Sequence, residues 1–317
     1  MLNFVYWLIS FVLWFWHKLF SIPFGAGSGI SWILAIVFLT FSIRILLLKP
    51  MINQMRSGRK MQEFQPLMQE IREKYKNDQQ KMMEETRKLQ KEMGVNPIAG
   101  CLPILVQMPV FIGLFHVLRS FNRTGTGAGQ LGMSIEANRN TANYYFKPED
   151  VQSFLDAKLF GVPLSSYIWM PSEQYAAFPG ADLSKLKIAV VAAPLILITV
   201  LATHFNARLS LDRQKARLAS GKQQAPSNEM MASQMAMMNK MMLWFMPATL
   251  LFTGVLWHIG LLFYMVANNI WTFFQTKLVY DKMDKEEEAE IEAKKAAKRA
   301  TAPKPGQRPD NPKKKKK

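Results

Sequence analysis

Five apolar runs, at 31–49, 98–120, 188–206, 241–256 and 257–276, punctuate this chain. Each is long enough, at about 1.5 Å per residue, to cross most or all of a bilayer. Hydrocarbon offers backbone amides no water to bond, so such runs fold as helices. The last two nearly touch and must form a tight helical hairpin turning near Gly254–Gly260. Hydrophobic residues make up 49% of the 317, and their concentration in blocks excludes a single soluble core. The fold class is therefore all-α: a polytopic membrane protein with a five-helix transmembrane core.

Charge orients that core. The segment 50–97 carries Arg56, Arg59, Lys60, Arg72, Lys74, Lys76, Lys81, Arg87, Lys88 and Lys91. The segment 207–240 adds Arg208, Arg213, Lys215, Arg217, Lys222 and Lys240, and the tail after Lys277 is strongly basic. The segment 122–187 is balanced. The positive-inside rule places the first three in the cytoplasm and 122–187 outside, and five spans satisfy all four assignments.

Three regions follow: an N-terminal helix in 1–29, a core in 30–276 and a basic tail in 277–317. No Lys or Arg precedes the first apolar run and no small-residue cleavage site follows it, against a cleaved signal peptide. Asn3, Tyr6, Trp7, Ser10, Trp14 and His17 form a polar–aromatic stripe at helical spacing. The stripe suits a helix lying in the outer interface, with a sixth transmembrane helix as the alternative. Residues 53–76 and 79–93 read as an amphipathic helical hairpin, turning at Lys76–Asp78 and ending at Gly94.

Within Ser31–Leu48 sits Arg44, and no Asp or Glu occupies any apolar run. A charge at a helix centre costs about 2.5–3.5 kcal/mol on insertion scales and normally faces a bundle interior or a wet cavity. Arg44 is also near enough to Lys49 to snorkel toward the headgroups, so both readings stand. Every run carries further polar residues at helical spacing. These are Thr40 with Arg44; Gln107 between Pro103 and Pro109; Thr199, Thr203 and Asn206; Thr249 and Thr253; and Tyr264, Asn268, Thr272 and Gln275, with Asn269 adjacent. Helix gluing accounts for single threonines. Five stripes and an arginine without an acid point to a hydrated groove bearing one positive charge.

No covalent chemistry is legible. There is no Walker motif, nucleophile triad or metal-ligand cluster, and the single cysteine, Cys101, excludes an intramolecular disulfide. The expectation is no enzyme, no cofactor, no metal and no small-molecule substrate. The methionines of 230–246 form a dense run that can face varied apolar ligands. Asn122–Arg123–Thr124 matches a glycosylation sequon, a weak pattern. In 122–187, aromatic clusters suggest short interfacial helices.

The segment GVNPIAGCLPILVQMPVFIGLF (94–115) resembles the YidC/Oxa/Alb membrane protein insertase family in its bacterial form, through its NP..GC.P....Q.P pattern. FSIRILLLKP (41–50) and YMVANNIWTFFQ (264–275) resemble the family's arginine-bearing first core helix and its last. The likeness covers roughly 1–285. It implies an inner-membrane insertase and chaperone, acting with or without the Sec translocon. Five helices would enclose a groove open to cytoplasm and lipid, with Arg44 as its charge. Thr40, Leu105, Phe252 and Tyr264 match substrate-facing positions, Gln107 matches the polar groove position, and Asn268 lies on the same stripe as Tyr264. The hairpin 53–93 would receive substrates. Partners implied are nascent membrane proteins, the ribosome (through the tail and cytoplasmic loops), the Sec translocon and anionic lipids. The sequence shows neither the large external domain preceding the core in Gram-negative members nor a lipoprotein cysteine near its start, and its external loop 122–187 is longer than the family's usual. A transporter or channel for small anions, selective through Arg44, is the alternative.

The tail from Pro303 is Pro-rich and ends in five lysines, which reads as disordered and able to bind ribosomal RNA or anionic lipid. Deleting Pro303–Lys317 is expected to weaken co-sedimentation with translating ribosomes, and binding by the full chain should fall steeply with salt. Unchanged affinity at low salt leaves the lysines as topology markers.

Overall fold

The computed structural model describes residues 3–94, 102–125, 131–178, 180–223, 225 and 229–301. The chain divides into two units, 1–273 and 274–317. The first holds α1 (Asn3–Phe24), α2 (Gly29–Leu46), α3 (Leu48–Lys74), α4 (Gln79–Met93), α5 (Leu102–Arg119), α6 (Ile135–Arg139) and α7 (Pro148–Asp156). It continues with a hairpin of β1 (Lys158–Leu159) and β2 (Val162–Pro163), then α8 (Lys185–Ala219), α9 (Glu229–Lys240), α10 (Met246–Thr253) and the first part of α11 (Ile259–Thr301). The protein is all-α as the apolar runs require, and this two-residue strand pair is the only sheet among the described residues. By length and composition α1, α2 and α8 can each cross a membrane.

Local signals explain the helix ends. Ser28 accepts from the Ile30 amide to start α2, and Asp78 accepts from Lys81 to start α4. Each satisfies an amide that has no partner within its helix. Gly94 closes α4 in the left-handed conformation. The charged hairpin is α3 and α4 as its periodicity predicts, except that α3 begins at Leu48. Pro50 falls in the first turn, where a missing N–H removes no helical bond.

Between α9 and α10, residues Met241–Phe245 form a π turn. Its cause is Pro247, which has no N–H for the Leu243 carbonyl four residues earlier. That carbonyl accepts instead from His204 Nδ1 on α8 at 3.0 Å. A carbonyl can only accept, so Nδ1 carries the proton.

The described residues of 122–187 hold two short helices, α6 and α7, and pack with the start of α2 into a cap with an aromatic centre. Trp32 at the start of α2 is wholly buried. It packs edge-on against Phe121 and Phe154 and stacks on His17 at 3.7 Å. Its Nε1 donates to Ser153 at 3.1 Å. Arg139 and Asp156 form a two-pronged ion pair at 3.0 and 2.7 Å, which raises the arginine's pKa above its usual range. The β1–β2 turn uses Phe160 and Gly161, both at positive φ (51° and 80°), the backbone that suits a two-residue hairpin. The amides of Ile259 and Gly260 donate into this cap, to Ser166 and Leu164 carbonyls at 3.0 and 2.9 Å. The turn ahead of α11 is thereby fixed to it.

The cap also runs along α1. Trp7 meets Tyr144, the Ser10 hydroxyl accepts from the Tyr145 amide, Trp14 meets Tyr145, and Lys18 pairs with Asp150 at 2.7 Å. The stripe residues Tyr6, Ser10, Trp14 and His17 therefore turn inward onto protein. The opposite face, Phe4, Leu8, Phe11, Phe15, Leu19 and Ile22, is exposed. Asn122, the acceptor of the sequon, is buried, with its Oδ1 accepting from the Thr124 amide and hydroxyl.

The second unit is helical to Thr301 and carries the Glu290–Lys294 pair at 3.3 Å, the spacing read from sequence. Residues 302–317, Cys101 and most of the NP..GC pattern lie outside the described residues.

Gly29 is packed so that an added Cβ would collide with the Lys158 carbonyl. Backbone cannot yield as a side-chain tip can, and overpacking of this kind costs about 1–3 kcal/mol. Gly29→Ala should lower the unfolding temperature in detergent and speed proteolysis between 156 and 164. An unchanged midpoint and cleavage rate would contradict this close contact.

Candidate functional site

Arg44 lies in the last turn of α2 and is 8% exposed. Its Nε donates to Asn268 Oδ1 of α11 at 3.0 Å, its Nη2 donates to the same oxygen, and Nη2 also reaches Thr272 Oγ1 at 3.4 Å. The Thr272 hydroxyl donates back to the Asn268 carbonyl at 2.8 Å, which directs its lone pairs toward the guanidinium. These acceptors are neutral. They orient the charge without cancelling it, whereas a carboxylate would form a closed ion pair. The guanidinium thus turns sideways onto α11.

Two more helices send polar groups to α11. Gln107 of α5 donates from Nε2 to the Tyr264 hydroxyl at 2.6 Å, and Tyr264 is 2% exposed. The Thr203 hydroxyl of α8 donates to Asn269 Oδ1 at 3.1 Å, and Asn206 donates to the same oxygen at 3.2 Å. Asn269 uses its own amide on the Met265 carbonyl, leaving Oδ1 as the shared acceptor. Tyr264, Asn268, Asn269 and Thr272 therefore gather polar groups from α2, α5 and α8 along about two turns of α11.

The other expected positions fall elsewhere. Thr40 is buried, and its hydroxyl donates to the Ile36 carbonyl of its own helix at 2.7 Å. Thr249 and Thr253 likewise bond their own turns, at 2.8 Å each. The spacing of these threonines reflects back-bonding rather than cross-helix contact. Phe252 is 76% exposed, and Leu105 lies outside the described side chains. Asn269 is the residue that spacing undervalued. It sat one position off the stripe yet holds two side chains of α8. The methionine run is outward: Met230, Met237, Met238, Met241 and Met246 are exposed, with Trp244 and Phe245 among them.

The family described as "60Kd inner membrane protein" matches residues 24–287, a span from the α1–α2 turn into the second unit. A protein of Mycobacterium tuberculosis (strain ATCC 25618 / H37Rv), named membrane protein insertase YidC, is 42% identical over 308 residues, covering 97% of this chain and 80% of that protein. Its namesake in Mycobacterium leprae (strain TN) is 41% identical over 308 residues, covering 97% and 77%. One from Streptomyces avermitilis is 30% identical over 271 residues, covering 86% and 56%. A match of this breadth, on an all-helical chain with apolar helices of membrane-crossing length, makes this chain a membrane protein of the 60Kd inner membrane protein family, the YidC/Oxa/Alb family that its motifs resemble.

Proposed function

We propose that this chain is a membrane protein insertase and chaperone, and that Arg44 is the working charge of its groove. The observation that carries this reading is an arginine in the last turn of an apolar helix of membrane-crossing length, held by neutral acceptors, so that its charge stays available to an incoming acid. A nascent membrane protein presents an apolar segment and a polar, often acidic, end. Moving that end through about 30 Å of hydrocarbon is the barrier. A polar seam along α11 shortens the dry path, and transient pairing with Arg44 offsets part of the acid's desolvation. The apolar segment then leaves into lipid, driven by burial at roughly 25 cal/mol per Å². The proposed groove residues are Arg44, Thr40, Leu105, Gln107, Phe252, Tyr264 and Asn268.

In this reading the α3–α4 hairpin, 207–240 and the tail face the cytoplasm. The exposed methionines of α9 receive apolar segments there, because thioethers adapt to irregular partners. The ribosome, the Sec translocon and anionic lipids are the expected partners. At about 1.5 Å per residue α1 is long enough to span, but its contacts with the cap at Trp7, Ser10, Trp14 and Lys18 support a helix lying in the outer interface with its exposed apolar face in lipid.

Arg44→Ala should slow insertion of substrates with acidic translocated ends by roughly fivefold, the equivalent of about 1 kcal/mol, and neutral-ended ones much less. Arg44→Lys should retain part of the activity. Asn268→Leu, which keeps the charge but removes its main acceptor, should give an intermediate defect. Reconstituted vesicles and protease protection provide the measurement. Equal tolerance of Ala by acidic and neutral substrates would sink the groove-charge reading and leave Arg44 as a helix-packing residue.

A further inference from the structure

Arg119 and Arg123 lie at the end of α5 remote from the charged hairpin, where the positive-inside rule disfavours arginine. They line a cavity of about 370 Å³ together with His116, Asn122, Tyr144 and Leu131. Among the described residues no carboxylate lines it. Arg123 donates to Asn138 Oδ1 at 2.9 Å and to the carbonyls of Ala142, Thr141 and Asn138 at 3.1, 2.9 and 3.3 Å. All four acceptors are neutral, so the arginine ties the cap together and keeps its charge. Burial lowers its pKa, yet a guanidinium remains protonated in proteins. Asn122 is 4% exposed, and its Nδ2 has no hydrogen-bond partner among the described residues. Its amide cannot simply be turned over, because Oδ1 already accepts from the Thr124 amide at 3.3 Å. A buried donor without an acceptor is destabilising, and an anionic oxygen would offset that.

The surroundings identify the anion's source. His116 Nε2 and the Tyr144 hydroxyl share a hydrogen bond of 2.6 Å, and Tyr6 stacks on His116 at 4.3 Å. Trp7 and Tyr145, both exposed, flank the same place. Tyrosine and tryptophan concentrate at the headgroup level of a bilayer, and exposed Leu131 gives the cavity an apolar lip. We propose that this cavity binds the phosphate of an anionic phospholipid headgroup, in the leaflet facing away from the α3–α4 hairpin, between Arg119, Arg123 and Asn122. Such a lipid would seat the cap on the membrane at the end of α5. This site is separate from the Arg44 seam and independent of how insertion proceeds.

The test uses the full chain in nanodiscs, with a photoreactive phosphatidylglycerol as probe and crosslinks mapped by peptide mass spectrometry. Labelling of the peptides containing 116–123 and 144–145 should exceed that by photoreactive phosphatidylcholine about fivefold or more, since one Arg near the surface is worth roughly 1 kcal/mol toward anionic lipid. Arg119→Gln should remove most of that excess and Arg119→Lys should keep it. Tyr144→Phe, which retains the ring stack, should lose part of it, a readout that survives if Arg119→Gln fails to fold. Equal labelling by the two lipids, or labelling that Arg119→Gln, if it folds, leaves intact, would overturn the proposal. So would competition by millimolar inorganic phosphate strong enough to abolish lipid labelling, because the cavity would then take free phosphate. Labelling confined to the cytoplasmic basic segments would overturn it as well.

Discussion

Hydrocarbon supplies no hydrogen bonds, and the cross-helix architecture follows from where the polar side chains of the apolar helices find theirs. Arg44, Gln107, Thr203 and Asn206 belong to three different helices, and all end on a short stretch of α11. Each interhelical contact of this kind contributes little, about 0.6 kcal/mol on average in a membrane. Their value is geometric. They fix the rotation of α11 about its own axis, so that one face gathers polar groups and the rest can meet apolar surface. If α11 turned by 100°, a single residue's step, so that Ala267 took the place of Asn268, Arg44 would face a position without an acceptor.

The cap supports the same helix from its other end. Ile259 and Gly260 donate their first-turn amides, which no helical carbonyl can reach, to Ser166 and Leu164. The start of α11 is thus anchored by a segment that also holds Trp32 of α2 and runs along α1. A cap built on Trp32, Phe121, Phe146 and Phe154 is rigid because large rings interlock with few voids. The polar face of α11 is therefore positioned by two independent means: hydrogen bonds along its length and backbone anchoring at its origin. The π turn before α10 is a third local device. There Pro247 releases a carbonyl and His204 takes it, tying α8 to the turn.

Much of this was legible in order along the chain. The helical class, the apolar helices α2 and α8, the α3–α4 hairpin with its Gly94 stop, the Glu290–Lys294 pair and the singular position of Arg44 follow from period, charge and capping chemistry, which act over a few residues. Spacing did not reveal the partners of Thr40, Thr249 and Thr253, because a threonine hydroxyl can bond its own helix as easily as a neighbour. It undervalued Asn269, which lies off the stripe by one position. The cap was the largest omission. Its elements are five to nine residues long, its hairpin strands only two, and its stability comes from rings that are far apart in sequence.

Sequence by itself determined that this chain is helical and membrane-borne, how its charged segments are distributed and which residue carries charge inside an apolar run. Those properties depend on neighbours three or four residues away and on transfer to lipid, which every residue undergoes alone. Tertiary structure decided what Arg44 touches, that α1 follows the cap, that the sequon's asparagine is buried and that Arg119 and Arg123 line one cavity. Each of these is a meeting of segments tens to hundreds of residues apart, and helical period fixes which face a residue occupies but not which helix that face will meet.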